Sequence, residues 1–251
     1  MEGDLTRRRI LGAAGAAVVA GAAASTAASS DKAGSAGKIK ILAIATSVRK
    51  GKTTAAGLRI CLDAAKAVDP KRIETELIEL AGMKIDAGVG AGLPPELGRT
   101  DDFPALLTKL TDPRIAGVII GSPVYMGNIS YLCAELFARM TELRKTFAWS
   151  NKVGGALAVG AARNGGQENV LRSIHAAMFG EEMIVVGDGR PTSHCGATLW
   201  NNKDDISHDE PGIATAKNLG RRVAEVALLL ARREKPIPPP PLSRLRERGR
   251  G

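Results

Sequence analysis

An α/β fold with a doubly wound, five-stranded parallel sheet and helices on both faces is what this 251-residue chain predicts. Three observations predict it. Five short apolar runs alternate with helix-length stretches, the pattern of strands that must be covered on both sides. Three polar loops carrying glycine follow the first, third and fourth of those runs, and ligands of such sheets sit beyond the carboxyl ends of the strands where the strand order reverses. Once both ends are set aside, about 195 residues remain, which suits one domain. In the order 2-1-3-4-5, a known arrangement of such sheets that is borrowed here as the expectation, strands one, three and four are neighbours, and loops far apart in sequence would meet in one cleft.

The elements follow in order. Residues 39–45 are a β-rich apolar run, and 53–67 are helical up to Asp69-Pro70, which stops them. Residues 73–80 alternate as a second strand. Residues 81–99, with five glycines and two prolines, form a long irregular excursion of the kind that is often functional. A helix is expected over 101–110 with Thr100 as its cap. Residues 115–121 are a short buried strand, and 130–144 its helix. Residues 153–159 are the fourth strand, 167–178 the helix after it, 183–187 the fifth strand, and 213–232 a closing amphipathic helix.

The ends read differently. Thr6-Arg7-Arg8-Arg9-Ile10-Leu11 leads into an uncharged run over 10–24, followed by small residues with Ala22-Ala23-Ala24 or Ala28 as an exit. This charged flank, apolar run and small-residue exit in order resemble a twin-arginine export signal, and because the run is too short to span a bilayer comfortably a removed signal is expected rather than a permanent helix. Residues 1–37 are therefore expected to be signal and flexible linker, 38–232 the folded domain, and 233–251 a Pro/Arg-rich disordered tail. The expected location is periplasmic or extracytoplasmic, reached through the twin-arginine export machinery, a route known for folded cargo.

Of the net charge of +9, five units lie from Arg232 onward and one in residues 1–37, leaving three for the domain. No nucleic-acid motif accompanies that charge, so nucleic acid is not an expected partner. Three cysteines, Cys61, Cys133 and Cys195, rule out a disulfide framework, and no pair has metal-ligand spacing. His194, Cys195 and His208 are too irregularly spaced to suggest a metal site, and none is expected. Aromatic residues make up 3% of the chain, which makes Tyr125, Tyr131, Trp149 and Trp200 worth locating.

The chemistry lies in the three loops. In the first, Arg49 and Lys52 can balance a phosphate dianion, Ser47, Thr53 and Thr54 can donate hydroxyls, Gly51 frees the backbone, and the following helix adds its positive end. Gly51-Lys52-Thr53 also matches the end of a nucleotide-binding P-loop. However, Thr46 stands at that motif's first glycine, and residues 117–121 offer no strand-terminal Asp for magnesium. The second loop, Pro123, Val124, Tyr125, Met126, Gly127 and Asn128, presents an aromatic ring and a turning backbone to a flat heterocycle. The third, Arg163, Asn164, Gly165, Gly166 and Gln167, offers N–H groups to a carbonyl-rich ring edge and a cation for negative charge developing on it. Together they look like a flavin mononucleotide (FMN) cradle, with Tyr125 and Arg163 the candidates nearest the ring.

Those loops, with Asp209-Glu210-Pro211-Gly212 and Ala216-Lys217-Asn218-Leu219-Gly220, are similar over roughly residues 38–230 to the NADPH-dependent FMN reductase and iron-sulfur flavoprotein branch of the flavodoxin-like superfamily. The resemblance implies a flavodoxin-like sheet holding FMN, with NAD(P)H as donor, a small acceptor such as a quinone or flavin, and a homodimer or homotetramer. Residues 81–98 contain no cysteine where the iron-sulfur branch carries four, so no cluster is expected. Thr46-Ser47-Val48 replaces the family's usual Gly-Ser-Pro, and Ala134 and Ala138-Arg139 replace a Lys and an Asp-Arg pair. The expected activity is that of a flavin-dependent oxidoreductase. A non-enzymatic electron carrier is the second reading, ranked lower because such carriers are acidic and this domain is mildly basic.

Overall fold

Ile39–Ala45 (β1) opens the fold with apolar side chains on both faces, so that Ile41, Ala43 and Ala45 enter one core layer and Leu42 and Ile44 the other. That double burial requires strands on both sides and helices above and below. Thr53–Val68 (α1) covers the first layer, and Ile73–Glu79 (β2) pairs parallel to β1 from Ile39 opposite Ile73 to Ala45 opposite Glu79. The chain continues through Ala87–Gly90 (α2), Phe103–Leu110 (α3), Ile115–Pro123 (β3), Tyr131–Arg139 (α4) and Thr141–Arg144 (α5). Val153–Gly160 (β4), Gln167–Gly180 (α6), Ile184–Val185 (β5), Ala197–Trp200 (β6) and Glu210–Ala231 (α7) complete it. This computed structural model describes residues 37–95, 98 and 100–231. The expected export signal with nearly all of its expected linker, residues 233–251 and Arg232 lie outside the described residues.

The sheet is parallel throughout with the expected order β2-β1-β3-β4-β5. One addition was not foreseen: among the described residues there are six strands rather than five. The predicted fifth strand pairs with β4 only through Ile184 and Val185, opposite Val153 and Gly154, before the chain leaves the sheet. After residues 186–196 it returns as β6, which pairs parallel with β4 from Leu157 to Gly160. The fifth lane is thus one edge in two pieces. Four residues with alternate burial are too short to stand out in sequence, and it is the edge of β4 that makes them a strand.

The two layers differ in composition. α1 and α7 cover one face through Leu58, Cys61, Leu219 and Val223, while α3, α4 and α6 cover the other through Phe103, Leu136, Val170 and Ile174. Trp149 is buried in the second layer and donates its indole N–H to the Leu110 carbonyl at 2.9 Å. Cys61 and Cys133 are buried free thiols, and burial pushes the Cys133 thiol up to about 12. Among the described residues, no helix is long and apolar enough to cross a membrane.

Three local expectations need correction. Thr100 does not cap α3: the helix begins at Phe103, whose N–H is taken by the Asp101 carboxylate at 3.1 Å. The helix expected over 130–144 is divided at Met140, whose N–H is shared by the Leu136 and Phe137 carbonyls in a tightened turn. The excursion after β2 holds the short α2, capped by Asp86. Arg139, 2% exposed, pins it by donating to the Asp86 carbonyl at 3.1 Å, to Asp101 at 2.5 Å and to Glu142 at 2.7 Å, its guanidinium lying 4.4 Å from the Phe103 ring centre. Burial works to raise the Asp101 carboxyl, but Arg139 overcomes it and leaves it below its ordinary range.

Glu181 follows α6, buried, with one carboxylate oxygen lacking a hydrogen-bond partner. Burial lifts its carboxyl from the ordinary 4.5 to about 7, against the pull of Arg144. A raised folded pKa gives stability that is fully present below the unfolded value and is lost as pH rises through the folded one. The melting temperature is therefore expected to fall between pH 5 and pH 8 by about 3–6 °C, on the order of 1–2 kcal/mol after allowance for residual solvent. Glu181→Gln should abolish this part of the decline, and parallel melts at the two pH values measure it.

Candidate functional site

Each of the three loops begins where a central strand ends. Ser47 lies two residues beyond β1, Val124 directly after β3, and Ala161 directly after β4. Because these strands are adjacent, the loops share one end of the sheet. A buried hydroxyl chain fastens the first two. Thr46 donates to the Gly121 carbonyl at 3.0 Å, Ser130 donates to the Thr46 carbonyl at 2.7 Å, and Ser122 accepts the Ser130 N–H at 3.0 Å. Ser130 also caps α4 by accepting from Cys133 N–H. Residues that are polar in sequence are here the internal scaffold, and only the tertiary contacts between distant strands reveal it.

In the first loop the Ser47 hydroxyl is buried and accepts the Arg49 N–H at 3.1 Å, closing a local turn. Thr53 and Thr54 are buried at the start of α1, and Lys52 occupies the cap position without a side-chain cap hydrogen bond. Gly51 has φ +70, the left-handed conformation that favours glycine. Two of the loop's charges and one of its N–H groups are already engaged. Arg49 donates to Asp204 at 2.6 Å, Lys52 lies 3.2 Å from the same carboxylate, and the Gly51 N–H donates to Glu79 at 2.6 Å. Arg49, with Lys52 behind it, holds the Asp204 carboxyl below its ordinary range. Glu79 in turn accepts from Arg59 at 3.0 Å.

The second loop is a tight turn in which Tyr125 and Asn128 exchange both backbone hydrogen bonds at 2.9 Å, with Met126 at φ 51 and Gly127 at φ 74. Positive φ at both central positions is the type I′ arrangement, and Gly127 suits it. Val124 N–H donates to the Val159 carbonyl at 2.9 Å, tying the loop to β4. Pro123 is half-buried at the end of β3, whereas Tyr125, Met126 and Asn128 are exposed at the tip. Tyr131 is exposed too, at the start of α4.

The third loop touches the second. A Cβ placed on Gly166 would lie 3.0 Å from the Gly127 Cα, so the two backbones are in contact. Gly166, at φ +98, occupies the cap position of α6. Gln167 is buried and is spent on the loop itself: it accepts the Gly165 N–H at 2.8 Å and donates to the Ala162 and Leu199 carbonyls at 2.7 and 3.2 Å. Arg163 is half-exposed and paired with the buried Asp209 carboxylate. Asp209 also accepts from Trp200 N–H at 2.6 Å and Gly212 N–H at 3.0 Å, joining the third loop, β6 and α7. Trp200 adds a bond from its indole N–H to the Ala161 carbonyl at 3.1 Å.

The structure therefore brings the sequence-selected loops together and adds three carboxylates that sequence reading did not place among the site residues: Glu79, Asp204 and Asp209. Only Asp209 carried a signal, as the first residue of the Asp209-Glu210-Pro211-Gly212 stretch in the family resemblance. Asp204 lies 152 positions from Lys52 and reaches it only because β6 exists. His194 is exposed and neighbours the buried Asp188, Cys195 is exposed, and His208 lies elsewhere beside Asp205. Among the described residues, no group of three or more His, Cys, Asp or Glu side chains is placed to hold a metal ion.

Comparison with known proteins bears on this arrangement. The family described as NADPH-dependent FMN reductase matches residues 39–197. An iron-sulfur flavoprotein of Methanocaldococcus jannaschii is 40% identical, over 76% of this chain and 99% of that protein. A NAD(P)H dehydrogenase (quinone) of Aromatoleum aromaticum is 24% identical, over 76% of this chain and 92% of that one. Among solved structures, RosB with bound 8-demethyl-8-formylriboflavin-5′-phosphate superposes with a TM-score of 0.60 at 17% identity, covering 84% of this chain and 86% of its own.

Proposed function

The chain belongs to the NADPH-dependent FMN reductase family, and on that premise we propose that it holds FMN across the three loops as a flavin oxidoreductase. NAD(P)H is the donor and a small molecule such as a quinone or a flavin the acceptor. The observation that carries this reading is the meeting of the loops after β1, β3 and β4 at one end of the sheet, with the second and third in backbone contact.

The residues present fit the cofactor. An uncapped helix start beside two half-exposed cations suits a phosphate, and the exposed Tyr125 to Asn128 turn above Gly166 suits the rim of a flat ring system. Bound FMN supplies the hydride and electron chemistry, while the protein supplies orientation and electrostatics. Arg49 and Lys52 anchor the phosphate, Pro123 and Val124 shape the floor, and Gln167 fixes the third loop from within. Arg163, tied to Asp209, orients that loop and keeps positive charge at its edge. An iron–sulfur cluster does not fit: the chain has three cysteines, in α1, in α4 and before β6, whereas such clusters take four ligands.

Arg49→Ala and Lys52→Ala are each expected to weaken FMN retention about ten-fold, the scale of one charge-assisted hydrogen bond. Fluorescence titration measures this, and unchanged affinity in both variants would count against the phosphate site. Adding NADPH or NADH to the loaded protein should bleach its visible absorption; persistent colour would remove the reductase assignment while leaving FMN binding intact. Two further parts of the reading rest on sequence: export through the twin-arginine route, which cell fractionation tests, and assembly as a homodimer or homotetramer, which sedimentation tests.

A further inference from the structure

Two cations of the first loop already meet the protein's own negative charge. Asn202 and Asp205 exchange backbone hydrogen bonds at 2.9 and 3.0 Å around a two-residue turn with Lys203 at φ 50 and Asp204 at φ 66. Such turns favour glycine, asparagine or aspartate at their centre, so Asp204 suits its place and the turn aims its carboxylate outward. Arg49 and Lys52 meet that carboxylate at 2.6 and 3.2 Å. Arg49 and Lys52 are 48% and 47% exposed and Asp204 is 36% exposed, so these pairs are weak and exchangeable. Arg49, Lys52 and the uncapped start of α1 are the same groups that the flavin phosphate would use.

We infer that Asp204 is an internal competitor of the flavin phosphate and thereby a determinant of how strongly this chain prefers FMN over riboflavin. The inference rests on the reading of this loop as the phosphate site. A phosphate brings more charge and more acceptor oxygens than one carboxylate and displaces Asp204, releasing the 202–205 turn. Before that, only the fraction of molecules with Arg49 and Lys52 disengaged is ready to bind, and apparent affinity for FMN is lowered by that fraction. Riboflavin, which makes no use of the two cations, is unaffected.

The test is titration of the full chain and of Asp204→Asn with FMN and, separately, with riboflavin, followed by flavin fluorescence. Asp204→Asn should tighten FMN about three- to ten-fold and leave riboflavin within about two-fold. Asp204→Gly, which also suits the left-handed turn, should act in the same direction. FMN affinity that is unchanged or weaker in both variants overturns the proposal, as does an equal gain for riboflavin. Failure of the underlying reading shows separately, in the parent chain: FMN would then bind no tighter than riboflavin, and Arg49→Ala and Lys52→Ala would change nothing.

Discussion

Gly220→Ala is expected to destabilise the protein by about 3 kcal/mol or more, lowering the melting temperature by on the order of 10 °C. Gly220 lies in the middle of α7 where that helix crosses α1, and a Cβ there would sit 1.9 Å from the Cys61 carbonyl oxygen and 2.6 Å from its carbonyl carbon. These are backbone atoms, so no rotamer change relieves the clash and the helices must separate. Alanine's advantage over glycine inside a helix, about 1 kcal/mol, works in the opposite direction and is too small to win. Separation would also loosen Leu219 and Val223 from the sheet face that they cover. A thermal melt of the variant measures the effect, and a shift below about 2 °C would show that α1 and α7 can part at little cost.

Asp209→Ala is expected to cost about 3 kcal/mol and to weaken flavin retention as well. The carboxylate is buried and serves Trp200 N–H, Gly212 N–H and Arg163 at once. Truncation strands two backbone donors, each worth about 1–3 kcal/mol when buried without a partner, while the half-exposed Arg163 finds water. Asp209 ties the third loop to α7 and shares its tie to β6 with the Gln167–Leu199 and Trp200–Ala161 hydrogen bonds, so its loss should loosen the loop without releasing it. Riboflavin and FMN should then lose affinity together, by about ten-fold, since the effect reaches the ring side of the site rather than the phosphate side. Arg163→Ala should cost less stability, because Asp209 keeps its two N–H donors. Melting and titration of both variants with both flavins check this, and a loss confined to FMN would contradict it.

The sheet was legible because burial on both faces leaves a mark in single strands. The bounds of β1 are those expected and those of β3 and β4 depart by no more than two residues, since a polar residue in such a run has nowhere to go, while the edge strand β2, one residue shorter than expected, was legible through the period of its apolar residues. Long helices were legible for the same reason. The fifth lane was not. Its halves become strands by pairing with β4, and nothing local distinguishes Ala197–Trp200 from a loop. The start of α3 was misplaced because Thr100, Asp101 and Asp102 are all competent caps, and position relative to Phe103 chose between them.

For the site, sequence by itself determined which strand ends carry the loops, which residue types they offer, and that the backbone would turn on glycine at positions 51 and 127, both of which adopt positive φ. Tertiary structure alone decided what those side chains face. Arg49 and Lys52 read as open cations but meet Asp204, Gln167 reads as a ligand group but bonds its own loop, and Arg163 meets a buried carboxylate from just before α7. The physical reason is one of range. Backbone conformation and burial are set by near neighbours along the chain, whereas the partner of a charge is set by whichever distant segment the fold carries to within about 4 Å of it.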